Sequence, residues 1–238
     1  MQRAEAGSYT ISVIFDHNSL YNQQRRDITL NVVNRRVNVT IGDITNTTVM
    51  SDLNMNISVV EDDGTAIRNG TVVFKINGKT IVDADGKAIK FSVVDGVAHL
   101  NYTLPQAMAA KGYNITAVYS NVGYDRAEAT ESFTLTKRDI ANVTIENLTT
   151  EVKHNTTINT TILDTTGMQL KGVNKVSIKV DGKTQVNETE ITDGNLNFTL
   201  DTSYLKVGNH KIDVIVDPNS WYNQLRTTIP LTIEDVKM

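Results

Sequence analysis

The chain has 238 residues, no cysteine and a formal net charge of -4 from interspersed acids and bases. That composition excludes a disulfide framework and a cysteine-based metal site, and without a basic run the chain lacks the field that a nucleic-acid backbone would require. No stretch approaches the roughly 20 apolar residues needed to cross a bilayer, so no membrane span is expected.

Met1 to Tyr9 lacks the apolar core of a signal peptide, and the chain is therefore expected to be an excised or processed piece. Tyr9–Phe15 and Asp27–Val33 alternate with period two and flank the loop Asp16-His17-Asn18-Ser19-Leu20-Tyr21-Asn22-Gln23. This opening stretch, residues 1–36, matches only the last third of the units that follow. Two strands make a hairpin that is marginal in water, and its inward set Tyr9, Ile11, Val13 and Phe15 calls for a covering partner.

From residue 37 the pattern predicts strands at roughly 37–41, 54–60, 71–76, 79–83, 96–104, 112–120 and 129–136. Asn77-Gly78-Lys79 and Asp95-Gly96 mark two-residue turns, in which Gly takes the positive φ that such turns need. Pro105–Ala110 reads as a single helical turn. The same order then returns from residue 142 to 234. Asn38-Val39-Thr40-Ile41 recurs as Asn142-Val143-Thr144-Ile145, Asn77-Gly78-Lys79 as Asp181-Gly182-Lys183, Pro105–Ala110 as Thr202–Lys206, and the opening loop as Asp217-Pro218-Asn219-Ser220-Trp221-Tyr222-Asn223-Gln224, with a weaker copy at Ser120–Tyr124. The phase is kept as well: Val72, Phe74 and Ile76 point inward where Val176, Ile178 and Val180 do.

Offsets of about 98 to 104 residues have the size of a folding domain rather than of a solenoid turn. Seven alternating strands in about 100 residues, without helical periodicity, predict an immunoglobulin-like sandwich. The expected fold class is all-β, with tandem immunoglobulin-like antiparallel sandwiches: residues 1–36 as the C-terminal part of a repeat, 37–139 as one repeat and 140–238 as another.

The phrases Phe74-Lys75-Ile76-Asn77-Gly78-Lys79, Val94-Asp95-Gly96-Val97-Ala98 and Gly112-Tyr113-Asn114-Ile115-Thr116-Ala117-Val118-Tyr119, with an Asn-x-x-Tyr loop after them, carry a resemblance. The chain resembles the bacterial-type immunoglobulin-like repeats of archaeal adhesin-like proteins, especially those of methanogens. The resemblance covers nearly the whole chain, although the last loop reads Asp-x-Asn-Ser-x-Tyr in place of the commoner Gly-Asp-x-x-Tyr. It implies a large, secreted, cell-wall-associated protein in which such repeats form a stalk or contact other cells.

Twelve Asn-x-Ser/Thr sequons occur, at Asn38, Asn46, Asn56, Asn69, Asn101, Asn114, Asn142, Asn147, Asn155, Asn159, Asn187 and Asn197, where chance would give about four. One reading is an N-glycosylated exterior. The other is strand geometry, because Asn-x-Thr on a strand turns both polar residues outward and the middle one inward. Seven middle residues are apolar: Val39, Ile57, Tyr102, Ile115, Val143, Leu148 and Phe198. Both readings leave the asparagines exposed.

In the repeated loop, Asp16 with Asn18, or Asp217 with Asn219, offers oxygens to a Ca²⁺ ion or a sugar. Calcium takes 6 to 8 oxygens and the motif shows two or three, so the alternative is a turn capped by Asp and Asn while Tyr21, Tyr124 or Tyr222 packs as an anchor. Trp221, the single Trp, could stack on a sugar ring or pack, as Leu20 in the same place suggests. Glu61-Asp62-Asp63-Gly64 reads as a solvated turn, since its counterpart Leu163–Gly167 has lost most of the charge. His17, His99, His154 and His210 have no matching partners across the repeat, so no metal cluster, cofactor or catalytic group is expected.

The functional expectation is a non-enzymatic, extracellular, cell-surface or cell-wall-associated stalk. Its partners would be other cells, surface glycans or proteins, and neighbouring repeats or subunits. The rival readings are a subunit of a surface filament or sheath with strand complementation, for which residues 1–36 are the discriminating feature, and a carbohydrate-binding module using Trp221 and Tyr222.

Overall fold

The computed structural model describes residues 5–44, 47–143, 145 and 148–236. The described residues contain strands and turns and no helix. The chain forms two compact units, one of residues 1–47, 51–104 and 112–134, the other of residues 48–50, 105–111 and 135–238.

The first unit opens with a hairpin of β1 (Gly7–Phe15) and β2 (Gln24–Val32), paired in continuous register from Gly7 opposite Val32 to Phe15 opposite Gln24. Then follow β3 (Val37–Ile41), β4 (Thr47–Thr48), β5 (Asp52–Glu61), β6 (Thr71–Ile76), β7 (Lys79–Thr80), β8 (Phe91–Ser92), β9 (Val97–Thr103), β10 (Gly112–Ser120) and β11 (Ala127–Thr136). One sheet has the order β3-β5-β9, and the other β4-β11-β10-β6-β7 with β8 also on β6. Alternate residues point into one core: Leu53, Ile57 and Val59 from β5, Val72 and Phe74 from β6, Ala98 and Leu100 from β9, and Ile115, Ala117 and Tyr119 from β10. The Phe74 ring meets Phe91 edge-on, with centroids 5.2 Å apart.

The second unit has β12 (Leu148–Glu151), β13 (Thr156–Thr161), β14 (Val173–Val180), β15 (Lys183–Thr192), β16 (Asn195–Leu200), β17 (Gly208–Val216) and β18 (Leu225–Glu234). Its sheets are β13-β16 and β12-β18-β17-β14-β15. Ile158 and Leu196 from the small sheet share one cluster with Val176, Ile178, Val180, Ile212, Val214 and Ile229 from the large one. Two mainly antiparallel sheets around one core, with β12 running parallel to β18, make this fold immunoglobulin-like.

Turn chemistry follows the sequence. Asn77-Gly78, Asp95-Gly96, Asp181-Gly182 and Asp193-Gly194 each place both residues at positive φ, between 46° and 80°, as mirror-image two-residue turns require. Three details differ from expectation. Pro105–Ala110 and Thr202–Lys206 are not helical but close as simple turns, with Met108 N donating to Pro105 O and Leu205 N to Thr202 O. Short strands add to the large sheet at Thr47–Thr48 and Phe91–Ser92. Residues 142 and 143 lie outside any strand, whereas Asn38 and Val39 pair with β5.

Candidate functional site

The repeated loops are turns organised by asparagine. The Asn18 side-chain oxygen accepts from the N–H groups of Leu20 and Tyr21, both at 2.9 Å, and Asn219 accepts from Trp221 at 2.8 Å and Tyr222 at 2.9 Å. In both copies the backbone closes the same way, Asn18 N to Tyr21 O and Asn219 N to Tyr222 O. These oxygens hold the loop's own backbone. Asp16 accepts from His17 N, and Asp217 is half-buried. Among the described residues, no group of three or more His, Asp or Glu side chains is placed to hold a metal ion.

The tyrosines of these loops divide. Tyr222 is buried and its hydroxyl accepts from Lys171 N at 2.9 Å; Tyr124 is half-buried and donates to Glu61 Oε1 at 3.2 Å. Tyr21 is 64% exposed, its ring edge to face with Phe15 at 6.3 Å between centroids. The anchor role thus fails at Tyr21, because the opening hairpin has no second sheet to receive the ring. Trp221 is half-buried and packs against the core of its unit. Its ring lies so close to Gly172 that a Cβ there would sit 2.7 Å from it.

Ten sequon asparagines fall among the described residues, and all ten are exposed. Asn46 and Asn147 lie outside the described residues. Ile57, Ile115 and Val143 are buried, while Val39, Tyr102, Leu148 and Phe198 are half-buried. Strand geometry accounts for Val39, Ile57, Tyr102, Ile115, Leu148 and Phe198, whereas Val143 is buried outside any strand, and the described asparagines remain accessible to modification.

The most constrained polar cluster is one that the motifs did not single out. Arg138 forms a parallel bridge with Tyr222, and its guanidinium donates from Nε to Val49 O at 2.7 Å, from Nη2 to Met50 O at 3.0 Å and from Nη1 to Asp164 Oδ2 at 2.7 Å. The side chains of Arg138 and Asp164 are 7% and 2% exposed. The other Asp164 oxygen accepts from Thr166 N, Thr166 Oγ1 and Met168 N. Burial pushes this carboxyl up, but the hydrogen bonds from Thr166, Arg138 and Met168 outweigh it and hold its pKa below the ordinary 3.8. Asp62, Asp63 and Gly64 are exposed, whereas in the counterpart turn Leu163–Gly167 the one acid is withdrawn from water, because Arg138 and three turn donors replace the water.

The first unit holds a bare version of this cluster. Arg35 forms the same parallel bridge, with Tyr124, and donates from Nη1 to Glu61 at 2.7 Å, with Arg35 65% exposed. Beside it lies an open groove of about 390 Å³, lined also by Arg68, Asn69 and Asp95. Arg35 and Arg138 are 103 residues apart, and so are Glu61 and Asp164. That shared offset was the available signal. The Arg138–Asp164 pair holds the Val49 and Met50 carbonyls and the Thr166 and Met168 amides, and so positions backbone.

No family model and no curated protein sequence matches the chain. Among solved structures it is similar to a tetra-tandem repeat from the extending region of a large adhesion protein, with 15% identity over 97% of this chain and 57% of that one, TM-score 0.45. It is similar to a structure from a 1.5-MDa bacterial ice-binding adhesin, with 16% identity over 95% of this chain and 74% of that one, TM-score 0.35. The fibronectin(III)-like modules of Clostridium thermocellum CbhA match with 17% identity over 83% of this chain and 94% of those modules, TM-score 0.30. The fold assignment stands on the strand order and burial described above. No helix among the described residues is long and apolar enough to cross a membrane.

Proposed function

We propose that this chain is part of a non-enzymatic, extracellular, adhesin-like array in which immunoglobulin-like repeats, 37–139 and 140–238, hold a binding surface away from a cell, with residues 1–36 contributing the end of a further repeat. The observation that carries this reading is a cluster repeated once in each unit: Arg35 with Glu61 and Tyr124 recurs as Arg138 with Asp164 and Tyr222. A backbone-holding cluster that recurs at the same offset in each unit supports an array of like modules. The resemblance to archaeal adhesin-like repeats supports a cell-wall-associated setting. The ten exposed sequon asparagines support N-glycosylation of that exterior.

Two measurements test the reading. Intact-mass analysis of native protein is expected to show glycan increments at sequons, and an unmodified mass removes the glycan part. Glycan-array and cell-binding assays on the full chain and on Trp221→Ala separate a spacer from a carbohydrate-binding module. A spacer binds in neither form, whereas binding abolished by Trp221→Ala would overturn the spacer role. The packing of Trp221 on Gly172 favours the spacer.

A further inference from the structure

Two bare surfaces of the first unit have covered counterparts elsewhere in the chain, and the counterparts show what covers them. The first is the hairpin face. Register aligns Tyr9, Ile11, Val13 and Phe15 of β1 with Tyr113, Ile115, Ala117 and Tyr119 of β10, all buried, and with Ile212, Val214 and Val216 of β17, also buried. The second edge of β10 is taken by β6, with Ala117 opposite Phe74. The second edge of β17 is taken by β14, with Val214 opposite Ile178. In β1 that edge carries no strand among the described residues, and Ile11, Val13 and Phe15 stand exposed beside Ile28 and Leu30 of β2.

The second surface is the Arg35 groove. In the second unit the equivalent place is filled by residues 48–50 and 105–111. The Val49 and Met50 carbonyls accept from Arg138 Nε and Nη2, Ala110 N donates to Ser220 O, and Gln106 reaches Gly172. Arg35 uses Nη1 on its acid as Arg138 does. Its Nε and Nη2 are the atoms that hold the two carbonyls in the covered copy.

We infer that the hairpin face and the Arg35 groove form one docking surface, and that its occupant is the strand half of a further repeat of this type, equivalent to residues 37–111, joined to β1 in the same polypeptide as β9 is joined to β10. The occupant's counterpart of β6 pairs along the edge of β1, and its counterparts of β5 and β9 form the opposing sheet that covers Ile11, Val13 and Phe15. Its counterpart of Val49-Met50 delivers two carbonyls to Arg35. A second copy of this chain is the poorer fit, because its β6 and β14 already pair with β10 and β17. The inference rests on the reading above that residues 1–36 end a further repeat and names what completes it, and it holds whether or not the array adheres to anything.

The test compares the full chain with the same chain carrying an added copy of residues 37–111 ahead of Glu5. Amide exchange across residues 8–31, read by mass spectrometry, is expected to slow about 100-fold or more in the extended chain. Arg35→Ala is expected to lower the melting temperature of the extended chain and leave that of the unextended chain in place. Unchanged exchange in the extended chain overturns the inference. So does concentration-dependent self-association of the unextended chain, seen by sedimentation, that itself protects residues 8–31, since a second copy would then be the occupant.

Discussion

The hairpins β1-β2 and β17-β18 carry the same apolar alternation and close through the same asparagine turn, yet Val13 is 55% exposed and its counterpart Val214 is fully buried. Pairing and register thus come from local sequence, through alternation and the Asn18 and Asn219 turns. Burial comes from the rest of the sandwich. An alternating strand specifies which face is apolar, but the stabilisation appears only when a second sheet removes that face from water.

The largest effect that should separate the two hairpins is a charge in the core. Val214→Asp is expected to unfold the second unit, because an unpaired carboxylate in its core costs several kcal/mol, whereas Val13→Asp should leave thermal unfolding within about 0.5 kcal/mol of the parent. Equal loss from both would mean that the hairpin face is covered in solution.

Next comes the pair of arginines. Arg138→Ala removes the cation paired with buried Asp164 and the donors that Val49 O and Met50 O accept from, so it should cost about 3 to 5 kcal/mol in denaturant unfolding. Arg35→Ala should not shift the midpoint measurably, since water replaces the lost donor at once. A double-mutant cycle with Asp164→Ala gives the coupling directly.

The smallest effects are those of pH and salt. Because the Asp164 pKa is lowered on folding, its contribution is present above 3.8 and disappears as pH falls through the lowered value. His210 is raised above 6.5 by its hydrogen bond to Asp181 at 2.6 Å and by the Lys206 carbonyl, so its contribution is present below 6.5 and is lost as pH rises through the raised value. In the exposed hairpin, Asp27 is lowered by Arg25 and Ser12. Carboxyl titrations followed by NMR should show Asp27 moving toward 3.8 at about 1 M salt, where screening acts over about 3 Å, while Asp164 stays lowered.

Much of this was legible in the sequence. The inward phase of Val72-Phe74-Ile76 and Val176-Ile178-Val180, the Asn-Gly and Asp-Gly turns and the repeat length all follow from short-range pattern, which is what fixes strands and registers. The Arg138 cluster was harder to read because its partners are Val49, Met50 and Asp164, separated along the chain and two of them acting through backbone carbonyls. Charge content singled out Glu61–Gly64, where Asp62 and Asp63 are exposed, and passed over Asp164, the single acid of the counterpart turn, which is buried and fully hydrogen-bonded. The 103-residue recurrence of Arg and acid together was the readable trace. Tyr21 misled for the complementary reason: repetition of a residue does not carry its surroundings along.

One pairing bears on what tension would do to this chain. The first strand of the second unit's large sheet, β12, runs parallel to the last, β18, with Leu148 opposite Leu231 and Glu151 opposite Glu234. Parallel neighbours have their outer ends at opposite limits of the ladder, so a pull applied at residues 148 and 234 slides the strands past each other and strains every rung together. In β1-β2 the ends at Gly7 and Val32 lie side by side, so the same pull peels the rungs apart one after another. Single-molecule stretching between each pair of points should therefore give a distinct force peak for the second unit and only a low, featureless extension for the hairpin; similar traces from both would show that strand direction is not what sets the resistance.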